Sequence, residues 1–110
     1  MKVNQLNFSG LELRQPAGDA GAEITGGYTS DLLSDVMANL KEGCALVTIQ
    51  AHKNTVAVAA LTGASAIIFC HGRAIEQDVL DTAAKEGIAV YVSAGSQYET
   101  TVSLAAALAE

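Results

Sequence analysis

His52, Cys70 and His71 are the residues of this 110-residue chain whose types suit metal binding or nucleophilic chemistry. A zinc site needs closely spaced ligand pairs and usually a fourth donor, and these three supply neither. A Cys70–His52 nucleophilic pair would need a third group to orient the base, and none stands out. No glycine is followed by lysine, and both GxxxxGK[ST] and GxGxxG are absent, which excludes P-loop phosphoryl transfer. No catalytic residue, metal ligand or cofactor is therefore assigned. Cys44 and Cys70 show no CxxC spacing and read as two small buried hydrophobes rather than a disulfide.

The elements that must position the polar residues follow one rhythm. Cys44–Ile49, Ser65–Cys70 and Ile88–Val92 are short apolar runs rich in β-branched residues, as expected of buried strands. Between them, Asn54–Thr62 and Ile75–Glu86 are helix-like, the second with Ile75, Val79, Leu80 and Ala83 on one face. Ser96–Ala109 reads as a terminal helix, and Asp31–Leu40 as a first helix begun by Ser30. Gly43, Gly63 and Gly87 each precede a strand, where a helix C-cap needs a left-handed residue; Asn54 and Ser96 suit N-caps. Strands alternating with helices of this length predict right-handed crossovers and a mainly parallel sheet covered on both faces, a three-layer α/β/α domain. The first third is less regular: Met1–Phe8 alternates imperfectly as a strand would, Pro16–Gly21 is a loop, and Glu23–Tyr28 reads as a strand entering a glycine turn at Gly26-Gly27.

Parallel sheets bind ligands beyond the carboxyl ends of their strands, where helix N-termini present free N–H groups. Here Gln50, His52, Lys53 and Asn54 follow the first core strand; Cys70, His71, Gly72 and Arg73 follow the second; Ser93, Gly95, Ser96 and Tyr98 follow the third. Gly26, Gly27, Tyr28 and Ser30 precede the first helix and could join that edge. Each has a plainer reading as well: His52 as a strand-end residue bonding a backbone carbonyl, His71 as a turn residue, Asn54 as a helix cap, Gly26-Gly27 as a tight turn.

Six Lys+Arg against twelve Asp+Glu give a formal net charge of −6, half the residues are hydrophobic, and 16% are charged. This is too apolar for a disordered segment, and six scattered basic residues make no patch for nucleic acid or an anionic membrane. The N-terminus lacks the apolar core of a secretory signal, and no run is long enough to span a membrane, so a cytoplasmic protein is expected.

The run Gly26–Met37, followed by Val47–Ala59, resembles DRTGG-type domains, most nearly the stand-alone subgroup, labelled HPr-serine-kinase-like, that accompanies iron-only hydrogenase genes. The resemblance covers about Glu23 to Leu108. It implies one domain over 1–110 with the architecture of the HPr kinase/phosphorylase N-terminal domain, in which about 1–22 is irregular or a short strand plus loop. It also implies a regulatory role without established catalytic residues, and the kinase label belongs to a separate P-loop domain. The name-giving residues differ. His52-Lys53 stands where the family has Asp-Arg, Cys70-His71-Gly72 where it has Thr-Gly-Gly, and Gln97-Tyr98-Glu99-Thr100 where it has Thr-Tyr-Thr-Thr.

The leading expectation is a non-catalytic binding or regulatory domain. It would take a small anionic or nucleotide-like ligand at the strand-end edge, through the helix starts at Ser30, Asn54 and Ser96 and the side chains of His52, Lys53, His71 and Arg73. The alternative is an interaction module: alanine-rich helices (Ala57, Ala59, Ala60, Ala105, Ala106, Ala107) offer closely packable faces for a homodimer. The gene neighbourhood of the resembled subgroup suggests a hydrogenase or other redox-complex partner. A small enzyme using His52 and Cys70 is the third.

Overall fold

The computed structural model describes all 110 residues. Five strands, β1 (Leu11–Gln15), β2 (Gly26–Thr29), β3 (Cys44–Thr48), β4 (Ala66–Phe69) and β5 (Ala89–Ser93), alternate with four helices, α1 (Leu33–Asn39), α2 (Lys53–Thr62), α3 (Gln77–Glu86) and α4 (Gln97–Leu108). The strand order is β1-β5-β4-β3-β2, with β2 to β5 parallel and β1 antiparallel to β5. The expected α/β architecture with a mainly parallel sheet is the one observed.

Each parallel crossover steps to the next strand in the same direction, so handedness places all three connecting helices on one face. Val36 of α1 and Leu40 at its C-cap, Val56 and Ala59 of α2, and Val79, Leu80 and Ala83 of α3 pack there on Leu46, Ile67, Phe69 and Val90. The sheet never reverses its winding, so it has no switch-point crevice of the doubly wound kind. The second face is covered instead by α4, through Leu104 and Ala107, and by Val3, Leu6, Ala17 and Ile24 of the N-terminal stretch.

That second face carries a cross-strand row of small residues, Gly27, Ala45, Ala66 and Ala89, in direct register. The row lets the covering layer come close. A Cβ on Gly27 would stand 2.7 Å from Leu104 Cδ2, so a glycine here admits α4 against β2. The N-terminal stretch is fastened by fully buried Tyr91, whose hydroxyl donates to the Val3 carbonyl at 2.7 Å.

Several boundaries differ from the sequence expectation. Met1–Phe8 is not a strand of the sheet; it makes one isolated bridge, Lys2 to Glu23. The N-terminal strand is β1, whose Leu11-Glu12-Leu13-Arg14 alternation is a half-exposed edge pattern. Gly26-Gly27 is not a turn but the start of β2, paired with Cys44 and Ala45. Helix α1 begins at Leu33, because Ser30 Oγ accepts from the Leu32 N–H and Asp31 reaches over to β3. Gly43 does not cap α1, which ends at Leu40; it turns into β3 with φ +88°, and a Cβ there would meet Thr25 Oγ1 at 2.6 Å. Gly63 and Gly87 are left-handed C-caps as expected.

Replacing Tyr91 by Phe removes the buried bond to Val3 and leaves that carbonyl without its donor. Stability should fall by about 1–2 kcal/mol in urea titration, with faster amide exchange in the first eight residues and little change in β3 or β4.

Candidate functional site

The parallel register aligns the strand ends. Thr48 pairs with Phe69 and Phe69 with Val92, so the reversals at Gln50, Cys70 and Ser93 follow side by side on one rim. Thr29 pairs with Val47, which brings Ser30 and Asp31 to the same rim beside β3.

Asp31 joins these corners. Its Oδ1 accepts from the Thr48 hydroxyl (2.8 Å), the Ile49 N–H (2.9 Å) and Gln97 Nε2 (3.0 Å), linking the end of β2 to β3 and to the first residue of α4. Between β5 and α4, the Thr100 hydroxyl donates to Ser93 Oγ at 2.8 Å, both residues buried. From the sequence, Asp31 is expected only as an acid in the first turn of a helix. The signal available was Ser30-Asp31 directly after a strand, a pairing whose short side chains bond nearby backbone in turns. Thr48, Gln97 and Thr100 carried no comparable signal.

The four helix starts differ in charge. Ser96 caps α4 in a capping box: Ser96 Oγ accepts from the Glu99 N–H at 3.1 Å and Glu99 Oε1 accepts from the Ser96 N–H at 2.9 Å. The bonds from Ser96 hold the Glu99 carboxyl below its ordinary range, so this helix start already holds its own anion. Helix α3 follows Glu76 and has Asp78 in its first turn. In α1 the first turn holds Asp35, whose carboxyl is lowered chiefly by the Tyr28 hydroxyl donating to Oδ2 at 2.7 Å. Helix α2 has no acid in its first turn and no side-chain cap; His52, not Asn54, occupies the N-cap position. His52, Lys53 and Asn54 are exposed and line an open depression of about 280 Å³. Lys53 also lies 3.6 Å from the exposed Asp78, a surface pair that holds it only weakly.

Alongside, His71 takes the left-handed conformation (φ +63°), uncommon for a residue with a side chain. Its N–H donates to the Gly95 carbonyl at 2.9 Å and that of Gly72 to the Ser93 carbonyl at 2.8 Å, pinning this turn to the loop before α4. His71, Gly72 and Arg73 remain exposed. Gln50 is exposed too, its carbonyl accepting from Thr55 Oγ1 at 2.5 Å.

Not every expected residue shares this rim. Gly26 and Gly27 lie at the amino end of β2, opposite Cys44 and Ala45 and away from the strand ends. Tyr28 packs against the α1 side of the sheet and spends its hydroxyl on Asp35. Cys70 begins the right turn, but its side chain is fully buried, Sγ lying 3.9 Å from the Ile68 carbonyl. Burial pushes its thiol up, and the nearby Asp31 charge adds to this, the opposite of an activated nucleophile. No three His, Cys, Asp or Glu side chains stand close enough together to hold a metal ion. No helix is long and apolar enough to cross a membrane.

No family model and no curated protein matches the sequence. Among solved structures, the fold is similar to the CBS and DRTGG domains of the regulatory region of Clostridium perfringens pyrophosphatase, complexed with the activator diadenosine tetraphosphate. The TM-score is 0.68 at 12% identity, over 89% of this chain and 42% of that one. The fold is DRTGG-like. The DRTGG-like chain spans under half the length of that neighbour, and at this identity the likeness concerns the fold.

Two outcomes follow from the rim's electrostatics. A carboxyl held below its ordinary value in the folded state adds stability above that ordinary value and loses it as pH falls through the lowered one. Glu99 should therefore contribute to acid unfolding, and Glu99→Gln should flatten the dependence of Tm on pH through the acid range, read by circular dichroism. With Cys70 buried and its thiol raised, a thiol reagent at neutral pH should spare Cys70 in the native protein and label it only on unfolding, as read by mass spectrometry of digests.

Proposed function

We propose that this DRTGG-like domain is a non-catalytic regulatory module that binds a small anionic or nucleotide-like ligand on the strand-end rim. The observation that carries the reading is the start of α2. The N–H groups of Lys53 and Asn54, the first two of the helix, have no side-chain cap and no acidic neighbour within the turn, while that of Thr55 donates to the His52 carbonyl at 3.1 Å; His52, Lys53 and Asn54 line the depression at this helix start. Unpaired N–H groups and the positive end of a helix dipole favour an anion there. Lys53 and His52 add donors from one side, His71, Gly72 and Arg73 from the adjacent turn, with Gln50 between them. Ser30 and Ser96 border the rim but have their oxygens engaged within it. Cys70 supports the turn from inside.

The regulatory region of the pyrophosphatase neighbour is complexed with a nucleotide activator, which favours a phosphate-bearing ligand. A hydrogenase or other redox-complex partner is carried by the family resemblance alone. The interaction-module reading has its own support in the outer surface of α4, which carries no charge after Glu99 and leaves Tyr98 and Val102 exposed.

Titration of the protein with nucleotides and phosphorylated metabolites, followed by calorimetry and thermal shift, should find a ligand that raises Tm. Lys53→Ala and Arg73→Ala should each weaken it about tenfold, roughly 1.4 kcal/mol. Absence of binding across the panel, or binding that both substitutions leave unchanged, would overturn the reading.

A further inference from the structure

The two edges of the sheet are built differently. At β1, Glu12 and Arg14 are paired at 3.5 Å, the register shifts between Leu13 and Gln15, and Pro16 follows at once. Charge, bulge and proline are the devices by which natural sheets keep an edge from pairing with another chain. At the opposite edge, β2 is Gly26-Gly27-Tyr28-Thr29, with no charge, no proline and no register shift against β3. Gly27 and Thr29 are exposed there.

The flanks of β2 are apolar as well. On one face, α4 has one charged residue, the exposed Glu99 of its first turn, and none from Thr100 to Ala109; Tyr98 is 79% exposed and Val102 51%. Helix α4 buries the side bearing Thr100, Leu104 and Ala107 and leaves Val102, Ala105 and Ala106 exposed. Between α4 and the strand runs a groove of about 110 Å³, lined by Gly27, Thr29, Thr101, Leu104, Ala105 and Leu108. On the other face, Leu32 and Met37 beside and within α1 are exposed. The acids of the flanking elements, Asp31, Asp35 and Glu99, are each engaged in bonds within the chain.

We propose that this edge is the interface of a symmetric homodimer, in which β2 pairs antiparallel with β2 of a second copy and α4 packs beside its counterpart. The proposal rests on the interaction-module reading and is independent of the ligand. Charge selects the occupant: a chain of net charge −6 repels its own copy least where both facing surfaces are poor in charge, and a two-fold axis at β2 sets this charge-poor surface against itself. The dimensions agree. Half the usual strand spacing puts β2 about 2.4 Å from such an axis. Helix α4 lies over β2, with Thr101 2.7 Å from Thr29 and Leu104 on Gly27, and so stands only slightly farther out. Two copies of α4 then run side by side at about 8–10 Å, the ordinary distance for packed helices, with the small side chain of Ala105 permitting the approach. One copy covers the open edge, the groove and the exposed helix surface together.

Sedimentation velocity of the full chain across concentration tests this. A dimer is expected, with Ala105→Glu raising its dissociation constant at least tenfold while Leu61→Glu, on the exposed side of α2, leaves it unchanged. Amides of Gly26–Thr29 in the unsubstituted protein should exchange more slowly as concentration rises, a reading that stands whether or not the Glu variant folds. A monomer at all concentrations up to several hundred micromolar overturns both the interface and the interaction-module reading. A dimer that Leu61→Glu disrupts and Ala105→Glu does not, unchanged exchange at β2, or open-ended higher oligomers overturn this interface alone.

Discussion

A parallel sheet must be buried on both faces, and one that steps always in the same direction receives its crossover helices on one face only. The rest of this structure answers that constraint. Helices α1, α2 and α3 cover the first face because connection handedness leaves them no other. The second face must be covered by what remains of the chain, which is α4 after the last strand and the N-terminal stretch before β2. The row Gly27, Ala45, Ala66 and Ala89 makes room for that cover, and the Tyr91 hydroxyl holds the N-terminal part in place through Val3.

The same winding puts the carboxyl ends of β2 to β5 on one rim, where the polar residues after the strands collect. Asp31 organises it by giving one carboxylate oxygen three donors from two other elements. The helix starts then divide by function. That of α4 is closed by its own glutamate, and those of α1 and α3 carry acids in the first turn. Only α2 opens onto solvent with basic and neutral polar residues. An anion on this rim meets one favourable helix terminus, not several, and the acidic balance of the whole chain does not decide the matter locally.

Rim and edge are chemically distinct surfaces of one small domain. The rim is polar and hydrogen-bonded, fit for a small charged ligand. The β2 edge is uncharged and flanked by aliphatic side chains, fit for a flat partner surface. The loop from Ser30 to Leu32 lies between them, its acid turned inward to β3 and α4 and its leucine outward to solvent.

Strands β3, β4 and β5, the helices between and after them, and the Gly63, Gly87 and Ser96 caps are legible in the residue order alone, because continuous apolar runs, helical periodicity and capping chemistry are local properties. The alternation of those elements also implies that the polar segments after Ile49, Phe69 and Val92 share an edge. That Gly26 and Gly27 belong to a strand emerges only from the folded chain, where Gly27 admits Leu104 from nearly eighty residues away and Gly26 lies against Cys44. The fold alone turned Cys70 inward, drew Asp31 across to Thr48 and Gln97, and showed that His52 rather than Asn54 starts α2. These outcomes depend on which side chains meet across the sheet, and contacts between distant segments leave no periodic trace in either segment.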